Sequence, residues 1–334
     1  MIRAGLQIPN FTYPGVAPDE LFERIAGIAT TAERSGFDTI MVMDHFYQLP
    51  LLGPPDQEMF EAYSLLAALA ARTESAQLGT LVTGVTYRNP ALLAKTVTAI
   101  DVISRGRAFL GIGAAWFEYE HNGLGVEFPP AGQRFEMLEE ALQICRAMFR
   151  SERPTFEGKH YRTREAINVP APIRDGGPPI MIGGQGEKKT LRLMAQYADM
   201  ANFTSSIDEL PRKVEVLQQH CDNVGRDPGT INKTPLLSIA LGATQAEAET
   251  GRDEFLTTRG MPRWADLDEA TRAMVGGRII CGDAEVVGER LQSVLAIGLD
   301  GICVNMPTNG WDLDAVAHAG QVVRSAVGSS ALPR

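Results

Sequence analysis

The chain has 334 residues, 44% hydrophobic and 22% charged, with a formal charge of −10. That is the make-up of a globular protein able to bury a large core. The acidic excess, with no Lys- or Arg-rich run, argues against nucleic acid or an anionic membrane as partner. The cysteines (Cys145, Cys221, Cys281, Cys303) are scattered without a CxxC pair. This excludes a disulfide scaffold or zinc ribbon and suits a reducing compartment. No basic-then-apolar leader opens the chain, and no stretch reaches ~18 uninterrupted apolar residues, so a cytoplasmic protein without membrane spans is expected.

In chain order, a short apolar strand (Ala4–Ile8) closes on Pro9-Asn10. Helical spacing follows from Asp19 to Gly36, then a near-continuous apolar strand, Thr39–Met43, that delivers Asp44-His45-Phe46 at its end. A Pro-rich loop leads to a helix over Met59–Arg72, and Gln77–Val85 reads as a third strand rich in Gly and Thr. A helix over Pro90–Ile103, a fourth strand at Ala108–Ile112, a loop over Gly113–Gln133 and an amphipathic helix over Arg134–Arg150 come next. Ser151–Gly177 is irregular and too long for a turn. Strand Pro179–Ile182, a glycine turn (Gly183, Gly184, Gly186) and a helix over Glu187–Ala198 form the fifth unit. Strands at Met200–Phe203, Pro235–Leu241 and Gly301–Asn305, with helices at Leu210–Val224, Thr244–Leu256, Asp283–Ile297 and Leu313–Val327, complete the pattern.

Eight strand–helix alternations without internal repeats predict a single-domain (β/α)8 TIM barrel over residues 1–334, with insertion or lid segments at 151–177 and 257–277. A doubly wound open sheet is the rival, but it has no need of eight units. In a barrel the site lies at the C-terminal ends of the strands. The chain places there Gln7 and Asn10, Asp44 and His45, Thr80 and Thr83, Gly113 and Trp116, the Gly183–Gly186 turn, Asn202 and Asn305. These are hydrogen-bonding and aromatic groups with one imidazole. They lack the paired Glu of a glycosidase, a GxSxG elbow and a barrel-end lysine. Such a set suits a cofactor that brings its own reactivity, and the glycine turn before a helix suits a phosphate. His45 is the functional histidine by position. Glu118-Tyr119-Glu120-His121 reads as a solvated face rather than a metal site, and Arg88, Lys95, Lys188 and Lys189 as surface charges.

TIMVMDHF, GTLVTGVTYRNPALLAKTVTAIDVISRGRAFLGIGAAWFEYEH and PIMIGGQGEKKTLRLMAQYAD resemble the bacterial luciferase-like superfamily, and within it the oxidoreductases that use the deazaflavin coenzyme F420. The resemblance spans nearly the whole chain. It implies a cofactor ring in the barrel mouth with His45 and Asp44 near its reactive edge. It also implies a non-proline cis peptide in strand three, mapped onto Thr80-Leu81 and supporting the ring, with Trp116 lining the pocket; Thr80, Leu81, Thr83 and Gly113 are expected to bind the cofactor. The cofactor phosphate would sit on Gly183, Gly184, Gln185 and Gly186. Where sugar-phosphate dehydrogenase relatives carry Glu and, three residues on, Asn, this chain has Trp116 and Tyr119. An apolar or aromatic small-molecule substrate with a carbonyl, alkene, imine or alcohol is therefore expected, with His45 as proton donor or acceptor tuned by Asp44. The resemblance further implies a homodimer served by an F420-reducing dehydrogenase. Three other readings stay open: a two-component monooxygenase using flavin mononucleotide (FMN), a non-catalytic deazaflavin- or flavin-binding barrel, and a cofactor-free sugar-phosphate isomerase with Asp44 as base.

Overall fold

Short apolar strands that each lead into an amphipathic helix can bury both faces only in a parallel sheet with helices outside it. The computed structural model describes residues 1–328 and has that arrangement. Its strands are β1 (Ala4–Ile8), β2 (Thr39–Val42), β3 (Gln77–Thr80), β4 (Thr83–Gly84), β5 (Leu110–Gly113), the small pair β6 (Phe156–Glu157) and β7 (Arg162–Thr163), then β8 (Ile180–Gly183), β9 (Met200–Phe203), β10 (Asn232–Leu241), β11 (Ile279–Gly282) and β12 (Ile302–Asn305). Apart from the antiparallel β6–β7 pair, all strands pair in parallel, in the order β3-β2-β1-β12-β10-β9-β8-β5-β4. β3 and β4 are two pieces of one broken strand, so the two ends of that path meet and the ring is nearly closed. Counting them as one and setting aside β11, which pairs with the outer half of β10, leaves eight strands around the ring. This is the TIM-barrel architecture.

Side chains alternate along each strand, so one parity faces the lumen and the other the helix layer. Ile2, Met41, Leu81, Phe109, Met181, Met200 and Cys303 fill the lumen. Ile40, Val42, Leu78, Leu110 and Ile182 join the larger core beneath the helices. The lumen is tight. A Cβ on Gly79 would stand 2.6 Å from the Phe109 ring, and one on Gly111 would stand 1.8 Å from the Thr80 carbonyl oxygen.

Several elements differ from the sequence expectation. The third strand is broken, and the non-proline cis peptide lies at Leu81-Val82, one residue beyond Thr80-Leu81. A helix, Glu118–Leu124, occupies the segment read as a loop, and β11 lies where no strand was expected. The irregular segment 151–177 carries the β6–β7 hairpin. The Glu140 carboxylate holds that hairpin by accepting the amides of Lys159, His160 and Tyr161 at 2.7–3.0 Å. The other segment, 257–277, contains helix Glu269–Gly276, and its Arg259 donates to the carbonyls of Leu51 (2.9 Å) and Leu52 (2.6 Å) after β2. No helix among the described residues is long and apolar enough to cross a membrane.

Gly111→Ala should force β3 and β5 apart. Thermal denaturation is expected to show a lower midpoint, equivalent to about 1–3 kcal/mol of overpacking. An unchanged midpoint would show that the lumen has room to spare.

Candidate active site

The strand alternation that packs the lumen also builds the floor of the mouth. Gln7 follows Gly5 on the lumen side of β1, Asn305 follows Cys303 on β12, and Ser238 follows Leu236 on β10. Their side chains form a directed chain. Ser238 Oγ donates to Asn305 Oδ1 (2.7 Å), Asn305 Nδ2 to Gln7 Oε1 (3.0 Å), and Gln7 Nε2 to the Leu81 carbonyl (2.9 Å). That carbonyl belongs to the cis peptide, so the polar floor grips the strand break from below. Asn202, also on the lumen side, is fully buried and donates to Thr234 Oγ1 at 3.0 Å.

Above the floor, Val82 leans between β5 and β8. A Cβ on Gly113 would stand 3.1 Å from Val82, and one on Gly183 would stand 2.8 Å from it. Both glycines were expected to serve a cofactor. Here they leave room for the Leu81-Val82 bulge, which lines the mouth. Gly184 has φ of +140°, a conformation that favours glycine, and its amide bonds the Asn202 carbonyl at 3.0 Å. The exposed Gln185 and Gly186 carry the chain from there to helix Thr190–Tyr197. Thr80 and Thr83, by contrast, are fully buried and turned toward the helix layer. Thr80 Oγ1 lies 3.0 Å from Thr83 Oγ1 and donates to the Gly111 carbonyl at 2.8 Å, while Thr83 meets the Tyr63 hydroxyl at 2.5 Å. These hydroxyls join the ends of the broken strand and do not face the mouth.

His45 and Asp44 part company beyond β2. Continued alternation sends His45 to the mouth and Asp44 outward. Asp44 does not contact the imidazole. It is 1% exposed and is held by the Arg88 guanidinium, with Nη2 at 3.0 Å from Oδ1. Arg88 also bonds Glu61 and lies 4.6 Å from the centre of the Tyr63 ring, so it is no surface charge. Burial pushes the Asp44 carboxyl above its ordinary value, against the opposing pull of Arg88.

The carboxylate that reaches His45 is Glu120. Its Oε1 lies 2.6 Å from His45 Nδ1, and its Oε2 accepts the amides of Phe46 (2.8 Å) and Tyr47 (3.3 Å). The Tyr87 hydroxyl donates to Oε1 as well. Burial alone would raise the Glu120 pKa, but His45, Tyr87 and the Phe46 amide together bring it below the ordinary Glu value. Glu120 and His121 are both fully buried, which overturns their reading as a solvated face. His121 is used within the fold: Nδ1 meets the Phe117 carbonyl and Nε2 the Thr86 hydroxyl, each at 2.7 Å. Among the described residues no cluster of His, Cys, Asp and Glu could hold a metal ion. Trp116 is 60% exposed, with its ring centre 5.9 Å from that of His45, edge to face. Tyr47, Phe117 and Tyr119 continue the aromatic wall. The arrangement presents one imidazole, backed by a buried acid, to a mouth with a polar floor and an aromatic side.

Residues 3–301 match the model of the luciferase-like monooxygenase family. Over 300 residues the chain is 29% identical to an F420-dependent glucose-6-phosphate dehydrogenase of Intrasporangium calvum, covering 83% of this chain and 86% of that one. It is 32% identical over 232 residues to the protein of the same description from Segniliparus rotundus, covering 67% of this chain but only 64% of the relative, just under two thirds of its length. A 5,10-methylenetetrahydromethanopterin reductase of Methanolobus tindarius is 26% identical over 80% of this chain and 78% of that one. Among solved structures, an F420-dependent secondary alcohol dehydrogenase in complex with an F420–acetone adduct superposes with a TM-score of 0.79 at 20% identity, over 98% of this chain and 99% of that one. At that identity the likeness is one of fold.

Two outcomes test the electrostatics. Arg88→Ala leaves the buried Asp44 charge without its partner and should cost about 3–5 kcal/mol in chemical denaturation, with Asp44→Asn in the same background restoring part of the loss. A cost no larger than that of Lys95→Ala would refute the pairing. Glu120 has a depressed pKa, so its ionised form favours the native state. That contribution is present above the ordinary Glu value of 4.5 and is lost as pH falls through its lower native value. The melting temperature of Glu120→Gln should therefore fall less steeply between pH 6 and pH 3 than that of the wild type, as read by calorimetry.

Proposed function

The chain belongs to the luciferase-like monooxygenase family, and we propose on that premise that it is an F420-dependent oxidoreductase acting on an apolar or aromatic organic molecule. The observation that carries the reading is His45, the one imidazole at the mouth, set between Trp116 and a buried carboxylate. The F420 dependence of the relatives in Intrasporangium calvum and Segniliparus rotundus supports the cofactor.

The residues fit such a group. The mouth has a cradle, since Gly113 and Gly183 lack the side chains that would crowd Val82, and Val82 with Leu81 would back a planar ring. The Gly183–Gly186 turn, with exposed Lys188 and Lys189 just beyond, would receive the anionic part of the cofactor. When bound, the deazaflavin supplies hydride chemistry at its ring. The chain's own part is to hold and move a proton. An imidazole can give or take one at its free ring nitrogen. His45 would do so toward a carbonyl, alkene, imine or alcohol resting against Trp116 and Tyr119.

The substrate side of the mouth favours a neutral molecule. Arg88 is engaged by Asp44 and Glu61. Arg134 donates to the carbonyls of Ala114 and Pro129 and lies over the Phe128 ring at 3.9 Å. Neither arginine is free to bind a sugar phosphate beside His45. Apolar contact and edge-to-face packing against the aromatic wall would supply the affinity instead.

The test is a fluorescence titration of the purified protein with F420 and, separately, with FMN. Tight binding of F420 and weak binding of FMN are expected. The reverse preference would assign the chain to the flavin monooxygenases, and binding of neither would leave the barrel without a redox role. His45→Ala should lower turnover about 10²–10⁴-fold while barely changing the dissociation constant for F420. Unchanged turnover would remove His45 from the mechanism.

A further inference from the structure

We infer that Glu120 is the positioning residue of the site: it fixes His45 as the Nδ1–H tautomer and leaves Nε2 as the nitrogen that meets the substrate. The inference rests on the reading of His45 as the proton-transfer group, and it concerns a residue that the sequence pattern had set aside.

Glu120 is fully buried, so its carboxylate must take all its bonds from the protein. Four groups reach it: the amides of Phe46 and Tyr47 at Oε2, and the Tyr87 hydroxyl and His45 Nδ1 at Oε1. Backbone amides can only donate. A carboxylate met by two amides and a phenol is held ionised, and an ionised carboxylate can only accept. The proton of the 2.6 Å contact therefore sits on His45 Nδ1. When the ring is neutral its other nitrogen is bare, and a bare Nε2 can take a proton from an alcohol or, once protonated, return one to a carbonyl. Tyr87 is itself fixed by stacking on His121, ring centres 4.6 Å apart, and by edge contact with Phe46 at 5.1 Å. The acceptor thus cannot swing away. Asp44, next in sequence, cannot replace it because Arg88 occupies it.

Glu120→Gln inverts the lock while keeping its size. The amide oxygen can still accept the Phe46 amide. The amide nitrogen then falls where Oε1 stood and donates to His45 Nδ1, so the ring must carry its proton on Nε2. The experiment is a long-range ¹H–¹⁵N correlation spectrum of the full chain labelled at its five histidines. It is recorded without cofactor at about pH 9, where a free imidazole is neutral. His121 is the internal reference, since its Nδ1 faces the Phe117 carbonyl, which can only accept.

The wild type should show His45 and His121 both as Nδ1–H. Glu120→Gln should move the His45 proton to Nε2 and leave His121 as it was. An Nε2–H signal for His45 in the wild type would overturn the inference whether or not the variant folds, and so would a Glu120→Gln spectrum with His45 still protonated at Nδ1. Because the readout needs neither substrate nor F420, it is independent of the reading it rests on. Failure of that reading appears in the turnover of His45→Ala, and failure of the lock appears in the spectrum.

Discussion

The break between β3 and β4 is the constraint on which the mouth of this barrel depends. A continuous third strand would carry its lumen-facing residues straight up past Phe109, whose ring already fills the space above Gly79. The chain instead interrupts its ladder after Thr80 and resumes it at Thr83, with the two hydroxyls 3.0 Å apart bridging the gap on the helix side. The backbone between them is displaced toward the mouth, where Val82 meets two strands that must be bare at Gly113 and Gly183. The hydrogen-bond chain from Ser238 through Asn305 to Gln7 then ends on the Leu81 carbonyl. Residues from five strands across the barrel thus answer to one irregularity in the backbone.

Charge at the strand ends is divided by the same alternation. Asp44 and His45 are neighbours in sequence but lie on opposite faces, so each has its own partner from a distant segment. Asp44 receives Arg88, and Arg88 is shared with Glu61, which also caps helix Ala62–Ala70 by accepting the amides of Tyr63 and Ser64. That network ties the end of β2 to the segments flanking the broken strand. His45 receives Glu120 from the helix after β5. A buried ion pair of the first kind contributes positional specificity more than stability, because desolvation offsets most of its Coulomb energy. The second contact joins a buried carboxylate, which also accepts two amides and a phenol, to a single imidazole nitrogen.

The barrel was legible in the sequence because its signals are repetitive. Thr39–Val42, Ile180–Gly183 and Met200–Phe203 are apolar runs of the type that only a two-sided burial explains, and the helices between them carry the 3.6-residue period. The illegible parts are short or irregular. β11 is four residues between glycines, too brief for either period to register. Helix Glu118–Leu124 spans two turns and its sequence, EYEHNGL, has no apolar stripe to announce it. Glu120 and His121 escaped for the same reason: charge on a short segment is normally solvated, and only tertiary packing against Tyr87, Phe46 and Thr86 reverses that. Adjacency in sequence pointed to Asp44 as the partner of His45, and the alternation of an extended chain ruled it out. Family resemblance located the strand-three bulge but missed its register by one residue.

The two sides of the mouth carry different kinds of group, and this bears on how an acidic protein holds an anionic cofactor. Along β2 and β5 the exposed surface is aromatic, and the nearby guanidiniums of Arg88 and Arg134 are turned inward to carboxylates and carbonyls. Along β8 the surface is backbone, glycine and the exposed Lys188 and Lys189. With a formal charge of −10, the field of the whole molecule repels an anion, so local amides and unpaired ammonium groups must outweigh it over a distance of about one Debye length, ~8 Å at physiological salt. The β8 side offers backbone amides and the exposed Lys188, with Lys189 beside it over the Phe135 ring. An anionic cofactor would therefore enter with its phosphate toward Gly183–Gly186 and its ring toward Val82. That would leave the opposite wall, where the Trp116 ring stands edge to face with His45, for the other reactant.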